Sequence, residues 1–189
     1  MKIRRAEFSD IDSIMKIEKK SFPFLIREDR GVFLQRLKVF PQGFIVLEAE
    51  NLSGEAGAEN GGKICGYLCS ELWRQFPSSD EFFSVGHDIS LAHCDGGSAL
   101  YISSFAVLPE FRGSGNGGAF FRMALDSIEK EQKNLSEEIL IVNENWHAAR
   151  HIYSKNGFLP CFEIKGAFCT NLFHWENGIV MKRILHRAE

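Results

Sequence analysis

Arg112-Gly113-Ser114-Gly115-Asn116-Gly117-Gly118 places four glycines within seven residues, after an apolar run that ends at Leu108-Pro109 and the pair Glu110-Phe111. The residues that follow, 117–133, have the apolar spacing of a helix. Glycines let a backbone turn tightly and bring its N–H groups close to a ligand without interference from Cβ. A helix start adds amides that have no intrahelical acceptor, together with the positive end of the helix dipole. Arg112 adds a full positive charge beside them. A strand, loop and helix of this composition suit a diphosphate.

Three phosphate-binding patterns can be compared with this loop. A nucleoside-triphosphate loop ends in Gly-Lys-Ser/Thr, and here Gly117-Gly118-Ala119 stands instead. The dinucleotide fingerprint G-x-G-x-x-G is met literally by Gly113, Gly115 and Gly118, with Glu137 or Glu138 about 20 residues on. Those acids open the next strand, whereas the ribose-binding acid belongs at the end of one, and no repeated βαβ half surrounds the loop. The third pattern, Arg-x-x-Gly-x-Gly, is met by Arg112, Gly115 and Gly117 and preceded by Phe105-Ala106-Val107-Leu108-Pro109. A glycine-rich connection without a ligand is the plain alternative. Further on, Ala148, Ala149 and Ile152 lead into Tyr153-Ser154-Lys155-Asn156-Gly157-Phe158, where Gly157 reads as a helix C-cap and Phe158 as the first buried residue of the next strand. With both blocks in this order, the chain resembles the GNAT superfamily of N-acetyltransferases. That family's central strand ends in Val-x-Pro before an Arg-x-x-Gly-x-Gly loop, and a later helix ends in Ala…Leu-Tyr-x-x-x-Gly-Phe. The blocks span 105–158; the flanks agree in element order only.

The resemblance implies acetyl-coenzyme A as cofactor and direct attack by an amine in a ternary complex. It implies a single α/β (α+β) acetyltransferase domain over residues 1–189, with its cofactor core at 99–158. The sheet would be mixed, mostly antiparallel, flanked by helices and splayed near Val107. Backbone N–H groups of Phe105, Ala106 and Val107 would meet the pantetheine arm, and Arg112, Gly113, Ser114, Gly115, Asn116, Gly117 and Gly118 the pyrophosphate. Tyr153 matches the tyrosine that protonates the leaving thiolate. Trp146 stands where many members carry a cofactor-contacting Asn, which leaves Asn145, or Asn143, as the candidate. Members often place a Glu or His base on the strand before the loop; this chain offers Tyr101, Ser103 and Ser104. The aralkylamine acetyltransferases resemble this layout, with paired His at the positions held here by Tyr101 and Ser103. By strand alternation Tyr101, Ser103 and Phe105 would share a face.

Acetyl transfer from a thioester needs a neutral amine, a polarised carbonyl and a stabilised thiolate. A lysine-like amine has a pKa of about 10.4, so a group or a water chain must take a proton near neutral pH. Neither Tyr101 nor Ser103 is a good base there, and the expected path runs through water toward Glu71, His87, Asp88 or His93. The acceptor would be a small-molecule or peptide primary amine, and the aromatics of 73–83 favour a small, partly apolar one. The rival reading is an acetyl-CoA-binding module without catalysis, acting as a sensor or interaction domain. His93-Cys94-Asp95 and the His147/His151 pair lack partner ligands at useful spacing, so no metal is expected. Cys161 and Cys169 have no His/Asp arrangement that would make either a nucleophile.

The elements that must position these groups read as a strand over 2–7, a helix up to Phe22-Pro23 and a helix over 30–40. Strands at 44–50 and 64–73 follow, joined by a polar hairpin loop at 51–62, and then a long insert at 74–98 that reads as a lid. A buried strand at 100–108, the loop, helix 117–133, strand 138–142 and helix 146–156 form the centre. Strands near 158–165 and 172–184 close the chain. At 189 residues, 44% apolar and 25% charged, this fills one domain. The seventeen Phe residues belong chiefly to its core. A net charge of −3 with no basic stretch argues against nucleic acid and acidic membrane surfaces. No stretch reaches the ~20 apolar residues of a bilayer span, and none resembles a signal peptide. Five cysteines without a Cys-x-x-Cys pair predict a reduced, cytoplasmic protein. A homodimer is left open.

Overall fold

The computed structural model describes residues 1–49, 62–77 and 80–186. The expected hairpin loop at 51–62 lies outside them, apart from Gly62. Strand β1 (Lys2–Arg5) leads to helix α1 (Ile11–Ser21), which buries Ile11, Ile14 and Ile17 at helical spacing. Helix α2 (Arg30–Val39) starts where Asp29 accepts a hydrogen bond from the Val32 amide. Strands β2 (Phe44–Ala49) and β3 (Lys63–Trp73) are buried along nearly their whole length, as strands covered on both faces must be. The 74–98 insert holds a short helix, α3 (Ile89–Ala92). Then come β4 (Ala99–Val107), α4 (Asn116–Glu131), β5 (Glu137–Asn143), α5 (His147–Lys155), β6 (Leu159–Asn171) and β7 (His174–Ile184).

All seven strands form one sheet in the order β1-β2-β3-β4-β5-β7-β6. Every pairing is antiparallel except β4 with β5, the two strands linked through α4. This is the expected mixed, mostly antiparallel α+β architecture. The closing hairpin is longer than the sequence indicates, because the strand runs past Gly166 (φ 61°) through an irregularity instead of ending there. α4 anchors the sheet by burying Phe120, Phe121, Ala124, Leu125 and Ile128. Truncating either phenylalanine to Ala would cost about 3–5 kcal/mol.

Two irregularities shape the centre. β4 and β5 pair only from Ala99/Glu137 to Ile102/Leu140, although β4 runs on to Val107 and β5 to Asn143. The sheet therefore opens after Ile102, five residues earlier than expected, and leaves one backbone edge of residues 103–107 unpaired. On the other side of β4, Cys69 pairs with Ser104 but Ser70 pairs with Ile102, so Ser103 is the extra residue of a β-bulge.

Candidate functional site

The opening between β4 and β5 is the mouth of a cleft of about 1040 Å³ that continues to the far side of the sheet. On one side of the cleft the 112–118 loop turns through two left-handed glycines, Gly113 (φ 87°) and Gly115 (φ 83°), and Gly115 is the N-cap of α4. Asn116 ties the loop to itself, donating to the Phe111 carbonyl at 3.1 Å and the Ser114 hydroxyl at 2.6 Å. Arg112 donates from Nε to the Val107 carbonyl at 2.7 Å and from Nη2 to Ser21 Oγ at 3.0 Å. Its positive charge is thus held between the end of β4 and α1.

α5 forms the other wall. Trp146, not Asn145, is its N-cap residue, and the Trp146 ring packs between Phe22 and Phe168, each 5.5 Å away. Asn143 accepts from the Asn145 amide at 2.8 Å, and both side-chain amides donate to the Glu176 carboxylate of β7. Asn145 reaches the cleft with one side-chain N–H given to Glu176 and its backbone carbonyl accepting from the His147 amide at 3.0 Å, while its side-chain oxygen has no partner among the described residues. Gly157 (φ 87°) ends the helix as expected, and Phe158 is fully buried.

This half fits acetyl-coenzyme A. A Cβ built on Gly113, Gly115 or Gly118 would meet nothing within 4 Å, so the loop faces open space. The first amides of α4 are available to an anion there. The unpaired edge of residues 103–107 can pair with an extended, amide-bearing arm. Tyr153 stands between the two walls, buried against Phe121 at 5.0 Å and Phe158 at 6.3 Å, with a hydroxyl that has no hydrogen-bond partner among the described residues. Burial alone pushes the phenol's pKa up, so it keeps its proton across the neutral range.

The far half of the cleft corrects several expectations. Tyr101, Ser103 and Phe105 do not share a face, because the bulge at Ser103 shifts the alternation by one residue. Tyr101 stacks on Trp73 at 4.1 Å, whereas Phe105 packs on Phe120 and Phe121 of α4. Ser103 is occupied, its hydroxyl donating to the Cys69 carbonyl at 3.1 Å. Asp88 caps α3 and accepts from Gln35, and His93 takes the Leu72 amide proton at Nδ1, so neither lines the cleft. His87 does line it, with Nε2 2.7 Å from Glu71 Oε1 and Nδ1 3.1 Å from the Ser84 carbonyl. Burial alone would lower the imidazole's pKa, but the Glu71 carboxylate outweighs it and the net shift is upward.

Sequence reasoning missed three buried charged residues here. Glu18 accepts from the Glu28 amide at 2.8 Å and from the Tyr67 hydroxyl, and Tyr67 also meets Ser104 Oγ at 2.9 Å. Arg36 donates from Nη2 to Glu28 Oε1 at 2.9 Å, while its Nε and Nη1 stay unpartnered. Burial raises the Glu18 carboxyl to about 7, against the opposing bonds from Tyr67 and Glu28. The signal was present in the pattern. Glu18 lies four residues after Ile14 and seven after Ile11, on the buried stripe of α1, and Arg36 lies three after Phe33 on that of α2.

A family model described as an acetyltransferase (GNAT) domain matches residues 43–160. An N-alpha-acetyltransferase of Sulfurisphaera tokodaii is 24% identical over 164 residues, covering 83% of this chain and 79% of that protein. Among solved structures, a GNAT-like decarboxylase in complex with isobutyryl-CoA aligns with a TM-score of 0.74 at 16% identity, over 98% of this chain and all of that one. An acetyltransferase from Salmonella typhimurium, described as putative and solved with its cofactor acetyl-CoA, aligns at 0.67 and 17% identity over 100% and 96% of the two chains. At these identities the structures speak for the fold, and the family model carries the assignment. With the loop, the splayed strands and the Tyr153-to-Phe158 helix ending on one matched domain, the chain belongs to the GNAT family of N-acetyltransferases, and acetyl-coenzyme A is its cofactor.

Proposed function

We propose that this protein transfers the acetyl group of acetyl-coenzyme A to a primary amine by direct attack, without an acyl-enzyme. One observation carries the reading: a single cleft runs from the glycine loop, past the free edge of β4, to a chamber rich in buried carboxylates. Bound there, the cofactor supplies the activated acyl thioester. The amides of 113–118 and the start of α4 hold its pyrophosphate, and Arg112 adds charge. The β4 edge at Phe105, Ala106 and Val107 pairs with the pantetheine arm and aims N–H groups at developing negative charge. The Asn145 side-chain oxygen accepts from the arm on the α5 side.

Tyr153 stabilises the departing sulfur. A thiol has a pKa of about 8.5, and the phenol lies well above that, so complete proton transfer in the ground state is uphill. The phenol therefore acts first as a hydrogen-bond donor to the thiolate.

Among the described residues, Glu18, Glu28 and Glu71 are grouped with two cations, Arg36 and His87, and this excess of acid attracts an ammonium. Of the aromatic segment 73–83, only Phe83 lines the cleft; Trp73 is spent on Tyr101, and Phe76 packs against Phe162. That weakens the case for a small, partly apolar amine. The name of the Sulfurisphaera tokodaii relative supports the α-amino group of a peptide as acceptor. All five cysteines are free, which suits a reducing compartment, and no helix among the described residues is long and apolar enough to cross a membrane.

The test is release of coenzyme A thiol from acetyl-CoA across a panel of amines: short peptides, lysine, spermidine and 2-phenylethylamine. Turnover of at least one member is expected. Tight coenzyme A binding with no turnover of any amine would point instead to a binding module without catalysis.

A further inference from the structure

We propose that Glu18 is the terminal proton acceptor for the attacking amine, reached through Ser104 and Tyr67. The proposal rests on the acetyltransfer reading above and adds to it the missing proton path.

The hydrogen bonds give this path a direction. Tyr67 has one hydroxyl proton, and an ionised carboxylate can only accept. Tyr67 therefore donates to Glu18, so in the 2.9 Å contact between Tyr67 and Ser104 the serine is the donor. That leaves the lone pairs of Ser104 Oγ to accept from a group in the cleft. The bulge at Ser103 is what brings Ser104, across from Cys69, onto the face that carries Tyr67 and Tyr101.

The other candidates lack a hydrogen-bonded path to a hydroxyl in the cleft. His87 has both ring nitrogens bonded, and its Glu71 partner favours the protonated form, which cannot act as a base. Glu71 Oε1 accepts from both His87 and Trp73 Nε1, and its unpartnered Oε2 is buried outside the cleft lining; Glu28 Oε1 is paired with Arg36, and its Oε2 has no partner among the described residues. Ser103 is bonded to Cys69.

In each turnover an ammonium gives one proton to Ser104 Oγ, Ser104 passes its own to Tyr67, and Tyr67 passes its own to Glu18. The neutral amine attacks the acyl carbon, the C–N bond forms and the C–S bond breaks with its electron pair on sulfur. The second amine proton ends on that sulfur, beside Tyr153. Glu18 returns its proton to water in the emptied cleft, so the path is unchanged overall.

The charged and titratable groups around Glu18 are Tyr67 of β3, Arg36 of α2 and Glu28 between the helices. Glu28 opposes ionisation and Arg36 favours it, while burial dominates and puts the carboxyl near neutrality. Below about pH 7 a protonated Glu18 cannot accept, and the path stalls.

The experiment is the pH profile of kcat/KM with acetyl-CoA and the tripeptide Ala-Ala-Ala, or 2-phenylethylamine if the peptide is not turned over. Wild type should show a rise centred near pH 7, separate from the amine's own ionisation at about 8 or higher. Glu18→Gln, Tyr67→Phe and Ser104→Ala should each lose that rise and fall about 100-fold in kcat/KM. Ser104→Ala removes only a hydroxyl and carries the test if either buried variant fails to fold. Turnover by Ser104→Ala within about threefold of wild type, with the rise intact, overturns the path alone. Absence of turnover by wild type on these two amines and on the rest of the panel above overturns the acetyltransfer reading and the path with it.

Discussion

Arg112 Nε and the Val107 carbonyl stand 2.7 Å apart, so the cation of the glycine loop is fastened to the end of the strand whose free edge borders the cleft. The side chain thus carries two duties, charge and loop position. Arg112→Ala is expected to raise the Kd for acetyl-CoA about tenfold in ~20 mM salt and less in ~300 mM, where the ~6 Å screening length weakens the charge. Arg112→Lys should keep the salt dependence without recovering the full affinity, because lysine lacks the planar fork that reaches Val107. Calorimetry at the two salt concentrations checks both.

Tyr153→Phe separates chemistry from packing. Its hydroxyl has no partner among the described residues and its ring rests on Phe121 and Phe158, so removing the oxygen should leave Tm and acetyl-CoA affinity unchanged. The expected loss is about 10- to 100-fold in kcat, from one missing hydrogen bond to developing charge. Equal kcat in the variant and wild type would remove Tyr153 from the mechanism.

The His87–Glu71 contact, together with the Gly86 amide 3.3 Å from Glu28 Oε1 and Gln35 2.6 Å from Asp88, pins the lid segment to the body. The His87 pKa is raised in the folded chain, so the stabilisation is full below its unfolded value of about 6.5 and is lost as pH rises through the folded value. Hydrogen exchange of residues 84–88 should accelerate as pH rises through that window, after correction for the intrinsic rate. His87→Gln should exchange fast at every pH, with no such step.

The parts of this fold that were legible in the sequence are those where local chemistry decides. Gly113, Gly115 and Gly157 occupy left-handed positions that other residues adopt at a cost, and the stripe of Ile11, Ile14 and Ile17 can only face a core. Ser104 was not legible as the residue facing Tyr67, because its orientation depends on a bulge set by pairing with another strand. Glu18 and Arg36 broke apolar stripes, and a charge on a buried stripe is a signal that periodicity alone passes over. Packing between elements also sets Gly117 apart from the other glycines of the loop. A Cβ on Gly117 would lie 3.2 Å from Ile152 Cδ1, so a bulky residue there would disturb the contact between α4 and α5.

Gly118 offers the cleaner probe of where acetyl-coenzyme A sits. It lines the cleft, its φ is not left-handed, and an added Cβ meets nothing within 4 Å, so Gly118→Val should fold normally and project its side chain into the phosphate space. The decisive measurement is the calorimetric Kd of acetyl-CoA for wild type and Gly118→Val at matched Tm. At least tenfold weaker binding, or about 1.4 kcal/mol, is expected for the variant; equal affinity in the two proteins would contradict the cofactor's place at this loop.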